Sequence, residues 1–302
     1  MTTFSHSRLA SFEDCPRKFK YRYILKIPSE TEGIEGYVGK TVHDVLERLY
    51  VAANKGQVPS FPRVIARYQQ LFDDGYDEKR IRIVRRENPL HFYRELGEHC
   101  LANYYHEHYP FDADQTLGTE EHVVFELGRI DGAAIKIQGF IDRVCRAKDD
   151  VVEIHDYKTG KRVLSQPKAD QDRQLALYQM GMAQRFGRDQ PFRLVWHFLQ
   201  KGQRRTSTRT AGQLDDLREE TLELVRRIHA EKRFEPKASP LCNWCEFSER
   251  CPGSPLRDPQ LATWEETLPA KRPSKPRRGA PPRPSHPGQL PLPFSLPVSA
   301  PS

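Results

Sequence analysis

The 302-residue chain predicts an α/β fold, with strands of one sheet interleaved with amphipathic helices. Three observations carry this. The run IKIQGFIDRV (135–144) alternates apolar and polar residues, so that Ile135, Ile137, Gly139 and Ile141 face one way. A polar turn at Lys148, Asp149 and Asp150 leads into a second apolar strand, VVEIHDYK (151–158). On either side, 42–50 and 170–187 carry apolar residues three and four apart, the period of a helix buried along one face.

Folding the two strands back on each other about their turn brings Asp142 opposite Asp156, within one residue of register. Asp156 and Lys158 are two apart on one strand and so share a face. Two carboxylates and an amine converging at a sheet surface do not suit an apolar core, where carboxylates need a charge partner, hydrogen bonds or a metal. An Asp, thirteen residues, then Asp-x-Lys therefore reads as a hard-cation site with a lysine beside it.

These residues resemble the PD-(D/E)XK nuclease signature. The RecB-like branch of that family adds an upstream histidine and a downstream Q-x-x-x-Y. Here His43 and Gln174-x-x-x-Tyr178 stand in that order, and the strings GFIDR and DYKTGK are close to the branch's wording. A lone Asp-x-Lys recurs by chance, whereas five elements in order do not. The resemblance implies a restriction-endonuclease-like mixed sheet flanked by helices, with residues 44–118 as a helical insertion covering the site.

The elements follow in order. Residues 5–27 begin with Ser5 or Ser7 as a helix cap and carry Leu9, Phe12 and Phe19 as apolar positions, with a break at Pro16. The string S-x-L-x-x-F-x-x-C-P-x-K-F-x-Y in this segment is similar to the start of the iron–sulfur members of the family. Gly39-Lys40-Thr41 suggests a phosphate loop, but position 34 is Ile where that motif needs Gly, and no strand precedes it, so nucleotide binding is rejected. Val42, Val45, Leu46, Leu49 and Tyr50 form a helical stripe with His43 one step round from it. By itself such a histidine reads as structural; Gly39-x-x-x-His43 matches the family's first motif.

Residues 56–118 read as helices broken at QVPSFP. Their histidines at 91, 99, 106 and 108 lack a completing ligand pattern and read as solvated or packed, and Cys100 as a small apolar residue. The sheet is expected to open at Glu120. The resemblance implies that an acid there approaches the metal; which of Glu120 and Glu121 does so is open, as is a plain exposed edge. Beyond the central hairpin, Gln174 and Tyr178 share a helix face. Residues 193–200 form a further strand and 214–234 a long amphipathic helix.

Near the end of this region stand Cys242-x-x-Cys245, five residues, then Cys251-Pro252. Three close cysteines leave a four-thiolate site one ligand short, and Cys15, also followed by proline, is the candidate fourth. Cys100 and Cys145 are expected among apolar neighbours. Spacing alone leaves zinc and iron–sulfur both open. One early Cys plus C-x-x-C-x5-C is the arrangement by which RecB-like nucleases of the AddB and CRISPR-associated kind hold a [4Fe–4S] cluster. The resemblance thus implies a cluster stapling 1–27 to 236–256.

Six of the seven net positive charges lie beyond Ala270, in a stretch with no acidic residue, leaving +1 for residues 1–269. Any DNA groove must then be a local patch. Residues 269–302 are Pro-rich, basic and aperiodic, the composition of a disordered tail after a nuclease domain at 1–268. Within the tail, Gln289, Leu292 and Phe294 resemble the Q-x-x-L-x-F motif by which bacterial replication proteins dock on the sliding clamp, set against a reading as ordinary tail sequence. No apolar run reaches about 18 residues, and the start lacks a signal peptide's apolar middle, so a cytoplasmic location without membrane span or disulfides is expected.

The function expected is hydrolysis of DNA phosphodiesters by a single-strand-preferring exonuclease in repair or recombination. Asp142 and Asp156 would hold Mg²⁺ or Mn²⁺, hard cations that take oxygen ligands, with His43 (by the resemblance) and the Tyr157 carbonyl completing the set. Lys158 would orient or deprotonate water and stabilise developing charge, while Gln174 and Tyr178 position the strand or the lysine. With no complete Walker motif, any unwinding falls to a helicase partner. Two other classes are a non-catalytic DNA-binding or scaffold subunit, against which the intact Asp142, Asp156 and Lys158 speak, and a zinc-stapled adaptor whose tail recruits a clamp.

Overall fold

A computed structural model describes residues 2–258 of the chain. Its centre is a long antiparallel hairpin, β4 (Asp114–Ile130) and β5 (Ala133–Ala147), closed by Asp131-Gly132. Both turn residues have positive φ, 48° and 77°, the backbone that matches the twist of a two-residue hairpin. The alternation read in β5 is present: Ile135, Ile137, Gly139 and Ile141 are buried and the residues between 135 and 141 are exposed.

Strand β6 (Val152–Lys158) pairs antiparallel with β5 from Arg143↔His155 to Arg146↔Val152. Strand β7 (Phe192–Phe198) runs parallel to β6, and β8 (Gln203–Ser207) antiparallel to β7. A two-residue β1 (Thr3–Phe4) pairs parallel with β5 at Lys136 and Ile137. The result is the expected mixed sheet, of six strands. One edge of β5 is shared by β1 at 136–137 and β6 at 143–146, so the stretch 138–142 lies in a fork between them.

Helices cover both faces. On one side α1 (His6–Asp14), α7 (Arg173–Phe186) and α8 (Ala211–Ala230) bury Leu9, Leu175, Ala176, Leu222 and Val225 with the apolar strand residues. A short α2 (Pro16–Phe19) continues into a π turn (Lys20–Ile24), separated from α1 by the extended Cys15, as Pro16 demands. A second apolar cluster joins α3 (Ile34–Ala53), α4 (Phe61–Gly75) and α5 (Leu90–His108) with Tyr157 of β6. Residues Gln166–Asp170 form a short α6 beneath β8.

Three local expectations change. Residues 114–118 belong to β4 and not to the helical run, and the sheet opens at Asp114. Helix α4 stops at Gly75, after which Asp77 Oδ1 accepts the Lys79 N–H. Ile81–Arg82 then forms β3, parallel to β2 (Glu32–Gly33), a two-residue pairing too short to leave a periodic signal. The tail motif at Gln289, Leu292 and Phe294 lies outside the described residues.

Candidate active site

The fork in the sheet gathers the predicted polar residues. Asp142 stands on β5 one step before the β5–β6 pairing begins, opposite Asp156, and its Oδ2 accepts the Tyr157 N–H at 2.6 Å. Helix α3 crosses here because Gly39 lets it close on the end of β6. A Cβ at that position would lie 3.1 Å from Thr159 Oγ1. One turn on, His43 places Nδ1 3.3 Å from Asp142 Oδ1 and Nε2 2.8 Å from the Tyr157 carbonyl oxygen.

Strand β4 contributes the acid. Glu120 has φ +46°, a left-handed conformation rare for a residue with a side chain, directly across from Asp142. Its carboxylate, His43 and Asp142 offer ligand atoms within 4.8 Å of one another. Glu121 turns to Arg185 at 2.6 Å. Glu120, and not Glu121, is therefore the acid that approaches His43 and Asp142.

Lys158 and Asp156 point to one face, with Nζ 2.7 Å from Asp156 Oδ2. Gln174, in the first turn of α7, ties both down: Nε2 donates to Asp156 Oδ1 at 2.8 Å and Oε1 accepts from Lys158 Nζ at 2.9 Å. Asp172 caps this helix by accepting the Gln174 N–H. Tyr178, one turn further, lies over Gly139. A Cβ there would sit 2.3 Å from the Tyr178 ring, so only glycine admits this approach. The structure thus brings His43, Asp142, Asp156, Tyr157, Lys158, Gln174 and Tyr178 into one site.

The electrostatics are those of crowded acids. Burial, then Asp142, push Asp156 up to about 6 against the opposing pull of Lys158. Burial and Asp142 likewise push Glu120 up to about 7, with His43 opposing. Burial disfavours charge on His43, but Asp142, Asp156 and the Tyr157 carbonyl outweigh it and raise His43 to about 9. For Lys158 the same contest runs between burial and the Asp156 and Asp142 carboxylates, which raise it. Such mutual perturbation marks a place where cationic charge is wanted.

The donor set fits a hard divalent cation. Carboxylates from Asp142, Asp156 and Glu120 and the Tyr157 carbonyl are oxygen ligands, and His43 adds one nitrogen. Asp156 Oδ2 is buried and, despite the nearby ammonium, has no hydrogen bond of good geometry. An acceptor left in that state is one that a cation would satisfy.

Behind the fork lies a polar cluster that the sequence did not disclose. Cys145, expected among apolar neighbours, instead packs its sulfur 3.2 Å from His155 Nε2 and 3.7 Å from Glu153 Oε2. Arg143, 2% exposed, donates to both Asp114 oxygens at 2.6 and 3.1 Å and lies over the Tyr50 ring. His155 Nδ1 meets His197 Nε2 at 2.8 Å. Asp114, Cys145, Glu153 and His155 have metal-ligand types within reach of one another. Yet Arg143 already pairs with Asp114 and Arg193 with Glu153 at 2.5 Å, so the cluster is charge-balanced as it stands. Alternation hid it: Arg143, Cys145, Glu153 and His155 occupy the strand face opposite the fork's apolar neighbours Val144 and Ile154.

Cys15, Cys242, Cys245 and Cys251 line one cavity of ≈ 60 Å³ between the N-terminal helices and the short helical turns Pro240–Trp244 and Ser248–Arg250. Backbone N–H groups of Lys237 and Ser239 face the sulfurs of Cys15 and Cys242 at 3.4 and 3.5 Å.

A forked mixed sheet with two aspartates and a lysine at the fork, and a helical histidine above them, defines a nuclease-type α/β domain. Residues 3–252 match the model of the PD-(D/E)XK nuclease superfamily, and the chain belongs to that superfamily. Among solved structures it is similar to SSO0001, with 14% identity over 84% of this chain and 87% of that one and a TM-score of 0.41. It is also similar to a provisionally named exonuclease from Eubacterium rectale, with 14% identity over 81% and 87% and a TM-score of 0.43. None of the curated proteins matches. No helix among the described residues is long and apolar enough to cross a membrane.

Proposed function

We propose that the chain is a divalent-metal-dependent deoxyribonuclease of the RecB-like branch, a single-strand-preferring exonuclease acting in DNA repair or recombination. The observation that carries this reading is the convergence of Asp142, Asp156 and Lys158 with His43 and Glu120 at the fork of the sheet. Members of the superfamily use divalent metals. Asp142, Asp156, His43 and the Tyr157 carbonyl would hold Mg²⁺ or Mn²⁺, which would supply Lewis-acid activation of water and neutralisation of phosphate charge.

The chain's own residues do the rest. Lys158, ammonium at neutral pH, stands where it can orient the attacking water and stabilise charge developing on the phosphate oxygens. Gln174 fixes the Lys158–Asp156 geometry, and Tyr178 seats α7 against β5.

The four cysteines support a [4Fe–4S] cluster in preference to zinc. The support is the resemblance: one early Cys plus C-x-x-C-x5-C is the arrangement of the iron–sulfur members of the family, and the four side chains line one cavity. The cluster's part is that of a staple between 1–27 and 236–256, with 1–268 as the nuclease domain and a helical insertion that ends before β4 at Asp114. A helicase partner for unwinding and a sliding clamp bound through Gln289, Leu292 and Phe294 belong to the same proposal.

The test is digestion of end-labelled single- and double-stranded DNA with Mn²⁺ or Mg²⁺. Faster metal-dependent release from single strands is the expected result. No cleavage by cluster-loaded protein would favour a non-catalytic scaffold subunit.

A further inference from the structure

The rung of the hairpin next to the proposed metal site carries an exposed aromatic pair. Glu120 on β4 and Asp142 on β5 face each other at the fork. Two residues along each strand, on the same face, stand His122 and Phe140, which are register partners. Their rings stack with centroids 4.7 Å apart and planes 20° from parallel. Phe140 is 58% exposed, and Val124 on the next same-face position is 48% exposed. The opposite face of this hairpin is closed by α7, whose Gly181 packs on Val123 and Phe125.

An exposed stacked pair by itself gives only cross-strand stabilisation of the sheet. Position argues for more. Same-face residues in a strand are about 6.7 Å apart. The Phe140 ring is thus about one nucleotide's phosphate-to-base reach from Asp142. A flat apolar ring, backed and held parallel by a second ring, is the surface on which an unpaired base stacks. Stacking of this kind is sequence-tolerant, because every base has a π-face. The site itself is crowded with carboxylates, which repel a polyanion, so grip on the strand must come from groups beside it.

We infer that Phe140, backed by His122, is a stacking platform for one unpaired base of a DNA strand whose neighbouring phosphate lies at the Asp142–Asp156 fork. Bases in a duplex already stack on each other, so the platform selects single strands and frayed ends. This inference rests on the nuclease reading above. Phe140 is a positioning residue and takes no part in bond cleavage.

The experiment measures KM and kcat of the full chain on a labelled single-stranded oligonucleotide with Mn²⁺, for wild type, Phe140→Ala and Phe140→Trp. A set of oligonucleotides carrying one abasic position, moved stepwise along the strand, is run against wild type and Phe140→Ala. Loss of a stacked base costs about 5- to 160-fold in affinity. The expected result is a KM raised by that factor in Phe140→Ala, with kcat within about threefold of wild type, and recovery in Phe140→Trp. One abasic position should weaken wild type by the same factor and leave Phe140→Ala unaffected, a coupling that mere sheet stabilisation would not produce. An unchanged KM, or an abasic penalty equal in both proteins, overturns the platform. Fluorescence anisotropy of the same oligonucleotides reads the same coupling as binding. If wild type binds with that coupling but does not cleave, the platform stands and the nuclease reading falls.

Discussion

Gln174 holds two members of the site at once, donating to Asp156 and accepting from Lys158, and its own N–H is capped by Asp172. Replacing it with Ala frees both partners. Loss of such an orienting neighbour typically lowers metal affinity or activity by about 10- to 100-fold. We expect Gln174→Ala to do so, read as turnover against Mn²⁺ concentration, while leaving the unfolding midpoint in urea nearly unchanged. Gly139→Ala acts differently, because its methyl group meets the rigid Tyr178 ring. Overpacking of this kind costs about 1–3 kcal/mol. Urea unfolding should show that loss, and Gly139→Ala combined with Tyr178→Ala should cost less than the sum of the two single changes. At this scale the sequence was explicit. Asp142, Asp156 and Lys158 were legible from spacing and strand parity, whereas His43 and Gln174 were legible only through the resemblance to the nuclease signature. The choice between Glu120 and Glu121 was not, since it turns on one left-handed φ that neither residue type announces. Phe140 was equally silent, because a strand's outward aromatic reads the same whether or not a ligand covers it.

The elements that position the site are a strand pair that diverges and a helix that bridges the gap. The β5–β6 register and the α7 helix were readable from alternation and from helical period. The two-residue pairings of β1, β2 and β3 were not, because nothing so short has a period. The polar cluster behind β5 and β6 carries its own prediction. Burial, with Arg143 and Arg204 adding to it and Asp114 opposing, lowers His108 to about 4. Burial and neighbouring cations hold His155 and His197 well below their usual value. An unfolded histidine near 6.5 binds protons that these folded residues refuse. The stability these histidines contribute is therefore fully present above about pH 6.5 and falls as pH drops below it, by on the order of 3 kcal/mol for His108 by pH 4, while the raised Asp156 and Glu120 act in the opposite direction. Urea unfolding at pH 7.5 and 5.0 should show that wild type loses more stability between the two than His108→Phe does. An equal slope in that variant would mean that His108 is not among the residues responsible.

For the molecule as a whole, the two ends of the described chain are already joined without any metal. Arg17 donates to the Phe234 carbonyl, Lys237 to that of Glu13, and Lys18 and Arg22 both pair with the half-buried Glu246. Cys15→Ser should therefore abolish the proposed [4Fe–4S] cluster without unfolding the chain. Iron and sulfide should fall from four each per protein, the brown colour should vanish, and the melting temperature should drop by several degrees, since an interaction specific to the folded state is lost. One zinc per colourless wild-type molecule would contradict the cluster. The sequence disclosed this long-range join only through its cysteine spacing; the salt bridges around it have no local signature. The central claim is that the fork hydrolyses DNA, and one measurement tests it most directly. Single-stranded DNA labelled at its 5′ or 3′ end is incubated with anaerobically purified protein and Mn²⁺ or Mg²⁺, beside Asp156→Ala and Lys158→Ala. The account predicts metal-dependent cleavage by wild type, reduced at least about 100-fold in both variants. Cleavage that persists in both, or that needs no divalent ion, would contradict it.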